Sequence, residues 1–312
     1  MNKKFKYSFK NKVILISGAS RGIGYEVSKL LIKHGANLMI CSSNLSNIIK
    51  SYNKLIKIKK KNQKIFYSCT DVSSEKSVKE LIDYTFKKFN RLDILINNAG
   101  IYGPKGFIEK VNWDEWKEAI NVNLFGSILL SRSVIGYFKK YNKGRIIQLG
   151  GGGVAGPLPR ITAYGASKIG ITRFAESLAQ EVKKYNIHIN TVAPGAINTQ
   201  MLEELIKAGP KKIGAYFYKK ALLQKKRGGS GYKKICDLIL FLCSVESDGI
   251  KGKLLHALWD DWYSLRNHTE ALSKSDIYTL KRINPVDRNL KWGIVDNEFE
   301  YDKLFSPWKN NK

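Results

Sequence analysis

Short apolar runs alternate along this chain with longer segments whose apolar residues recur at helical spacing, and that alternation constrains the fold more than any other feature. The runs that read as strands are Lys12–Ser17, Leu38–Cys41, Ile65–Cys69, Leu92–Ile96, Arg145–Leu149, His188–Val192 and Lys253–Leu258. Between them, Gly24–Lys33 carries Val27, Leu30 and Leu31 on one helical face, and Glu75–Phe89 carries Val78, Leu81, Ile82 and Phe86. Trp113–Tyr137, Ala163–Lys184 and Lys233–Cys243 also read as helices. Strands separated by helices pair in parallel through right-handed crossovers, which gives an α/β fold with helices on both faces of the sheet. The expectation is a single doubly wound, Rossmann-type domain over residues 1–258, with a C-terminal extension at 259–312. Ligands of such sheets sit beyond the carboxyl ends of the strands.

Composition narrows the partners. The 312 residues carry a net charge of +28, but the Lys excess is scattered and accompanied by many Asn, Ile and Tyr. No basic module interleaved with aromatics appears, so no nucleic-acid partner is expected, while a phosphate-bearing small molecule is favoured by the field. No apolar run has the length of a membrane span, and Val13–Ile16 after the basic N-terminus is too short for a secretion signal. Neither the four cysteines (Cys41, Cys69, Cys236, Cys243) nor the four histidines show metal-ligand spacing, so no metal site and a cytoplasmic location are expected. Cys41 and Cys69 fall at adjacent strand ends, with no disulfide implied.

The first strand runs into Ser17-Gly-Ala-Ser-Arg-Gly-Ile-Gly24, a glycine-rich turn opening a helix. Gly18, Gly22 and Gly24 permit a tight turn and close backbone approach to a pyrophosphate at the helix N-terminus. Further on, Tyr164 and Lys168 are spaced to share a helical face. A lysine ammonium there favours the tyrosine phenolate, the form that accepts a proton from an alcohol; the phenol returns it to a carbonyl oxygen as hydride arrives.

These motifs, together with Asp71-Val72, Asn97-Asn98-Ala99-Gly100, Asn121-Val122-Asn123-Leu124 and Pro194-Gly195, resemble the short-chain dehydrogenase/reductase family in order and spacing. The resemblance covers roughly residues 12–258. It implies NAD or NADP across the strand ends, held by Gly18, Ser20, Arg21, Gly22, Ile23 and Gly24 at the turn and by Ser42 and Ser43 after the second strand. Asp71 and Val72 would meet the adenine, and Asn97, Ala99 and Gly100 the adenosine ribose and the sheet centre. Pro194, Gly195, Ile197 and Thr199 would hold the nicotinamide end, and Lys168 would also bond the nicotinamide ribose. Asn123 would anchor a water through which protons reach solvent. The second strand ends in Cys41-Ser42-Ser43-Asn44 without a carboxylate, and Arg21 stands in the glycine turn, so NADP is preferred over NAD.

One part departs from the family. A serine or threonine that hydrogen-bonds the substrate oxygen belongs twelve to fourteen residues before Tyr164, where this chain has Gly150, Gly151 and Gly152. Thr162 could point into the site, the N–H groups of the Gly150–Gly153 run could donate instead, or the enzyme could be weak or inactive. The segment after Thr199 corresponds to the family's substrate lid and is basic and aromatic, with Lys211, Lys212, Tyr216, Phe217, Tyr218, Lys219, Lys225, Lys226 and Arg227. Either a phosphate-bearing substrate or a solvated amphipathic helix accounts for it.

The resemblance implies interconversion of a ketone and a secondary alcohol, on a nucleotide-linked sugar if the likeness of residues 146–168 and the Ala257-Leu-Trp-Asp-Asp-Trp262 tail to a surface-polysaccharide branch holds. The alternatives are a 3-oxoacyl-thioester reductase and a cofactor-bound scaffold. Ala271–Leu280 reads as a short helix and residues 282–293 as a turn-rich segment. Trp259, Trp262 and Trp292 point to an extension packed on the body or on a partner subunit. A homodimer or homotetramer through the two long helices is expected.

Overall fold

The computed structural model describes residues 7–290, so Trp292 and the last part of the expected turn-rich segment lie outside the described residues. Seven strands form one sheet: β1 (Val13–Ser17), β2 (Asn37–Ser42), β3 (Ile65–Cys69), β4 (Ile94–Asn97), β5 (Gly144–Leu149), β6 (Ile187–Ala193) and β7 (Leu254–His256). All neighbours pair in parallel, in the order β3-β2-β1-β4-β5-β6-β7. The order reverses beside β1, which opens a crevice at the carboxyl ends of β1 and β4.

The helices are α1 (Gly22–Lys33), α2 (Leu45–Ile56), α3 (Glu75–Phe89), α4 (Trp113–Ile120), α5 (Gly126–Lys140), α6 (Thr162–Glu181), α7 (Gln200–Ile213), α8 (Ala215–Lys226), α9 (Lys233–Cys243) and α10 (Thr269–Ser273). Side chains alternate along each strand, so Ile14 and Ile16 face α1, α2 and α9 while Val13 and Leu15 face α3, α5 and α6. Two apolar layers result, one on each face of the sheet.

Three features differ from the sequence expectation. The helix α2 was not foreseen; Asn44 caps it by accepting from the Asn47 N–H at 2.9 Å, and Ile48 and Leu55 bury against the sheet. The expected helix Trp113–Tyr137 is α4 and α5 joined by a π-helical turn over Asn121–Phe125. The whole stretch Trp113–Lys140 is long and apolar enough to cross a membrane by length and composition, which no single apolar run had indicated. The expected lid is a pair of helices, with a kink at Gly209 (φ 75°) ahead of Pro210.

Beyond β7 the chain returns to the body. Trp262 is 2% exposed and packs on Phe241, with ring centroids 5.5 Å apart. The Leu254 N–H on the outer edge of β7 donates to the Tyr278 carbonyl at 2.8 Å, and buried Lys253 donates to the carbonyls of Ser275 and Ile277, each at 2.9 Å. Glu176 of α6 accepts from the Leu280 N–H at 2.7 Å. The short helix therefore ends at Ser273 rather than running to Leu280: the carbonyls beyond it turn toward Lys253 instead of continuing a helical ladder. Trp259, by contrast, is 77% exposed and stacks on His256.

Candidate active site

At the carboxyl ends of the strands lies a cavity of roughly 550 Å³, a size that suits a cofactor. Gly18, Ser20, Arg21, Gly22 and Ile23 form its floor, and Ser42 and Ser43 its wall at the end of β2. Asp71, Val72, Ala99, Gly100 and Thr199 complete the part foreseen from sequence. Gly18 takes φ 63°, and a Cβ there would stand 2.7 Å from the Ala99 Cα, so only glycine brings these two strand ends together. Gly24 lies beneath the wall, where a Cβ would meet the Gly18 carbonyl at 2.5 Å. No side chain caps the start of α1, which leaves its first N–H groups available to an anion. These residues fit a dinucleotide. Among the described residues no cluster could hold a metal.

Four expected contacts do not line this cavity. Asn97 is buried under the site, where its amide donates to the Ser127 carbonyl and to Ser131 Oγ, each at 3.1 Å. Its neighbour Asn98 lines the cavity instead and donates to the carbonyls of Ser17 and Gly18 at 3.0 and 2.9 Å. Successive strand residues face opposite sides, and the cavity takes the second asparagine of the pair. Pro194, Gly195 and Ile197 follow β6 but are not part of the cavity wall; Ile197 belongs to the core, and Leu258 packs over Gly195.

Behind Gly100 the chemistry-bearing side chains converge. A Cβ on Gly100 would lie 3.1 Å from Asn123 Oδ1 and 3.4 Å from Lys168 Nζ. Lys168 is buried and donates to the Leu149 carbonyl at 2.8 Å, with its ammonium 5.6 Å from the Tyr164 ring centroid. Burial pushes the Lys168 ammonium down to about 8 and the Tyr164 phenol up to about 12. The Asn123 side chain accepts from the Ile101 N–H at 2.8 Å and donates to the Ile101 carbonyl and Ser167 Oγ, each at 2.9 Å. These bonds make the π-helical turn a brace for the Gly100–Ile101 loop.

The glycine run is decisive for the missing hydroxyl. A Cβ on Gly151 would overlap the Tyr164 hydroxyl and lie 3.1 Å from Tyr164 Cζ, so the phenol occupies the space of the absent side chain. Gly150 is tight as well: its Cβ would meet Thr191 Cγ2 at 3.0 Å, and its N–H already donates to the Val192 carbonyl. Thr162 does not replace the hydroxyl. It lies two residues from Tyr164, on the opposite side of α6, and its Oγ accepts from Trp116 Nε1 at 3.1 Å near the surface. Among the described residues the N–H groups of Gly151, Gly152 and Gly153 have no protein acceptor.

The family model described as short chain dehydrogenase matches residues 12–209, well over half of the chain. The chain belongs to the short-chain dehydrogenase family. It is 33% identical over 247 residues to the 3-oxoacyl-[acyl-carrier-protein] reductase FabG of Buchnera aphidicola, covering 78% of this chain and 95% of the relative. It is 34% identical over 221 residues to an uncharacterized oxidoreductase of Staphylococcus saprophyticus, covering 68% and 85%. Among solved structures, an NAD+-bound xylitol dehydrogenase matches with a TM-score of 0.72 and 25% identity, covering 80% of this chain and 98% of that one. This short-chain dehydrogenase is therefore an enzyme that acts on CH–OH groups with NAD or NADP.

Besides Asn98, sequence reasoning missed Tyr102, which stands against the tyrosine of this dehydrogenase's site. The ring of Tyr102 lies 4.7 Å from that of Tyr164, tilted by 56°. Its position just after Asn97–Gly100 was the available signal, because the chain leaving β4 there must pass the α6 face that carries Tyr164.

Proposed function

We propose that the chain reduces a 3-oxoacyl thioester to the secondary alcohol, with NADPH preferred. The observation that carries the reading is the Tyr164–Lys168 pair, whose lysine lies behind Gly100 of the cavity wall and whose tyrosine hydroxyl stands against the glycine run. The cavity residues from Gly18 to Ile23 would hold the cofactor, whose reduced nicotinamide would supply the hydride. Tyr164 gives its hydroxyl proton to the carbonyl oxygen, and in the reverse direction takes it from the alcohol. Lys168 offsets the cost that burial places on the phenolate. The N–H groups of Gly151–Gly153 serve as donors to the substrate oxygen in place of a serine.

The preference for NADP rests on Arg21 at the cavity floor and on Ser42, Ser43 and Asn44 at the end of β2, where no carboxylate repels a 2′-phosphate. The names of the relatives favour a thioester-linked ketone over the nucleotide-linked sugar suggested by the sequence resemblance. A phosphate-bearing carrier arm suits the lid, where Lys211, Lys212, Lys219, Lys226 and Arg227 are exposed. We place the enzyme in the cytoplasm, in keeping with four unpaired cysteines. It assembles as a homo-oligomer through α6 and the α4–α5 segment with its π-helical turn, where Trp113, Phe125 and Ile169 are exposed.

NADPH oxidation measured over a panel of 3-oxoacyl thioesters and nucleotide-linked keto-sugars tests this reading. Turnover of the thioesters, lost in Tyr164→Phe with NADPH affinity retained, is expected. Turnover of the keto-sugars alone would sink the substrate assignment, and an unaffected Tyr164→Phe would sink the proton-transfer role.

A further inference from the structure

Tyr164 is held between two neighbours, and neither leaves it room to move. Its hydroxyl stands in the space of the absent Gly151 side chain. Against the Tyr164 ring lies the Tyr102 ring, with the centroids 4.7 Å apart. Tyr102 cannot easily retreat. The residue before it, Ile101, is clamped at both N–H and carbonyl by the Asn123 side chain. Its ring also packs against the small apolar cluster of Ile161, Leu205 and Ile213, which ties the start of α6 to the lid helix α7. A side chain at residue 151 and a large ring at residue 102 would therefore compete for the same phenol position.

We propose that Tyr102 and Gly151 are a matched pair, in which Tyr102 is the positioning residue that sets the Tyr164 phenol in the space a residue-151 side chain would otherwise fill. The inference rests on the role proposed above for Tyr164. It gives the glycine run a purpose: Gly151 makes room for the phenol that Tyr102 presses toward it. Loss of the serine is then an adjustment of the site rather than decay. The burial that seals the pair accounts for the elevated Tyr164 phenol, and it raises Tyr102 further, with Tyr164 adding to the rise.

A double-mutant cycle tests the pairing: Gly151→Ser, Tyr102→Ala and both together, with Tyr102→Phe as the conservative variant, each checked by thermal melting. Gly151→Ser alone is expected to lower kcat at least about tenfold, because the new side chain displaces the phenol. The double variant is expected to exceed the product of the single effects by at least about fivefold. Tyr102→Phe keeps the ring and is expected to stay within about threefold of the parent. Multiplicative single effects, a Gly151→Ser enzyme faster than the parent, or a Tyr102→Phe enzyme as slow as Tyr102→Ala would each overturn the proposal.

Ultraviolet difference titration of Tyr164, read in cofactor-free protein against Tyr164→Phe, gives an answer independent of turnover. The Tyr164 ionisation should fall toward the ordinary tyrosine value in Tyr102→Ala and in Gly151→Ser, and stay in place in Tyr102→Phe. An ionisation unmoved in all three would refute the pairing. A parent enzyme that turns over no substrate in the panel would count against the proposed function and leave this readout intact.

Discussion

Replacing Lys168 by methionine should make the cofactor-free protein more stable while ending its chemistry. Lys168 is buried, and burial lowers its ammonium from 10.5 to about 8. Because the folded value is the lower one, the unfolded chain binds more protons between those two values, and stability rises with pH across that window. Below about pH 8 the folded state bears the full penalty. At about 1.4 kcal/mol per pKa unit, the penalty is about 3 kcal/mol. Against it stands the hydrogen bond to the Leu149 carbonyl, whose loss strands that oxygen at a cost of about 1–2 kcal/mol. The net gain for Lys168→Met at pH 7 is then about 1–2 kcal/mol, a rise in Tm of about 2–5 °C. Thermal melts of the two proteins without cofactor, run in steps from pH 7 to pH 10.5, should show the gap closing as pH rises. A variant less stable than the parent at pH 7, or a gap that does not change with pH, would refute the electrostatic reasoning.

Other perturbations read other parts of the molecule. Arg21→Ala should lower kcat/KM with NADPH by about tenfold or more and leave that with NADH nearly unchanged, since only the 2′-phosphate loses a charge-assisted partner; equal losses with both cofactors would remove Arg21 from the discrimination. Trp262→Ala should cost about 3–5 kcal/mol in denaturant unfolding because it empties a buried ring site beside Phe241. A loss under about 1 kcal/mol would mean that the extension contributes little to the core. Phe125→Lys should shift the protein to monomer in light scattering without lowering its Tm beyond what loss of assembly explains; an unchanged mass would place the contact elsewhere.

Legibility followed the physics of each element. Ile65–Cys69, Glu75–Phe89 and Lys233–Cys243 begin and end where the sequence pattern places them. In Glu75–Phe89 the reason is visible, since Ser74 caps the start and Asn90 closes the end in a left-handed conformation. The turn at Gly18–Gly24 was equally legible, because the close approach to Ala99 needs residues without side chains. The helix α2 was legible too, since Leu45, Ile48, Ile49, Tyr52, Leu55 and Ile56 recur at helical spacing behind the Asn44 cap, but it stands between two strands where only a connection was expected. The break at Asn121–Phe125 could not be seen in the helical period, because it serves a tertiary contact, the clamp on Ile101. For the same reason sequence spacing could count residues back from Tyr164 but could not tell which way Thr162 points, or that the Tyr102 ring lies against that of Tyr164.

Buried Lys253 has a consequence for how such a chain can be shortened. Its ammonium, lowered to about 8 by burial, donates to two carbonyls that both belong to residues beyond α10. A chain that stopped before Ser275 would lose both acceptors and at the same time open the ammonium to water, which returns it toward its ordinary value. The titration of that one lysine therefore reports whether the tail is seated on the edge of the sheet.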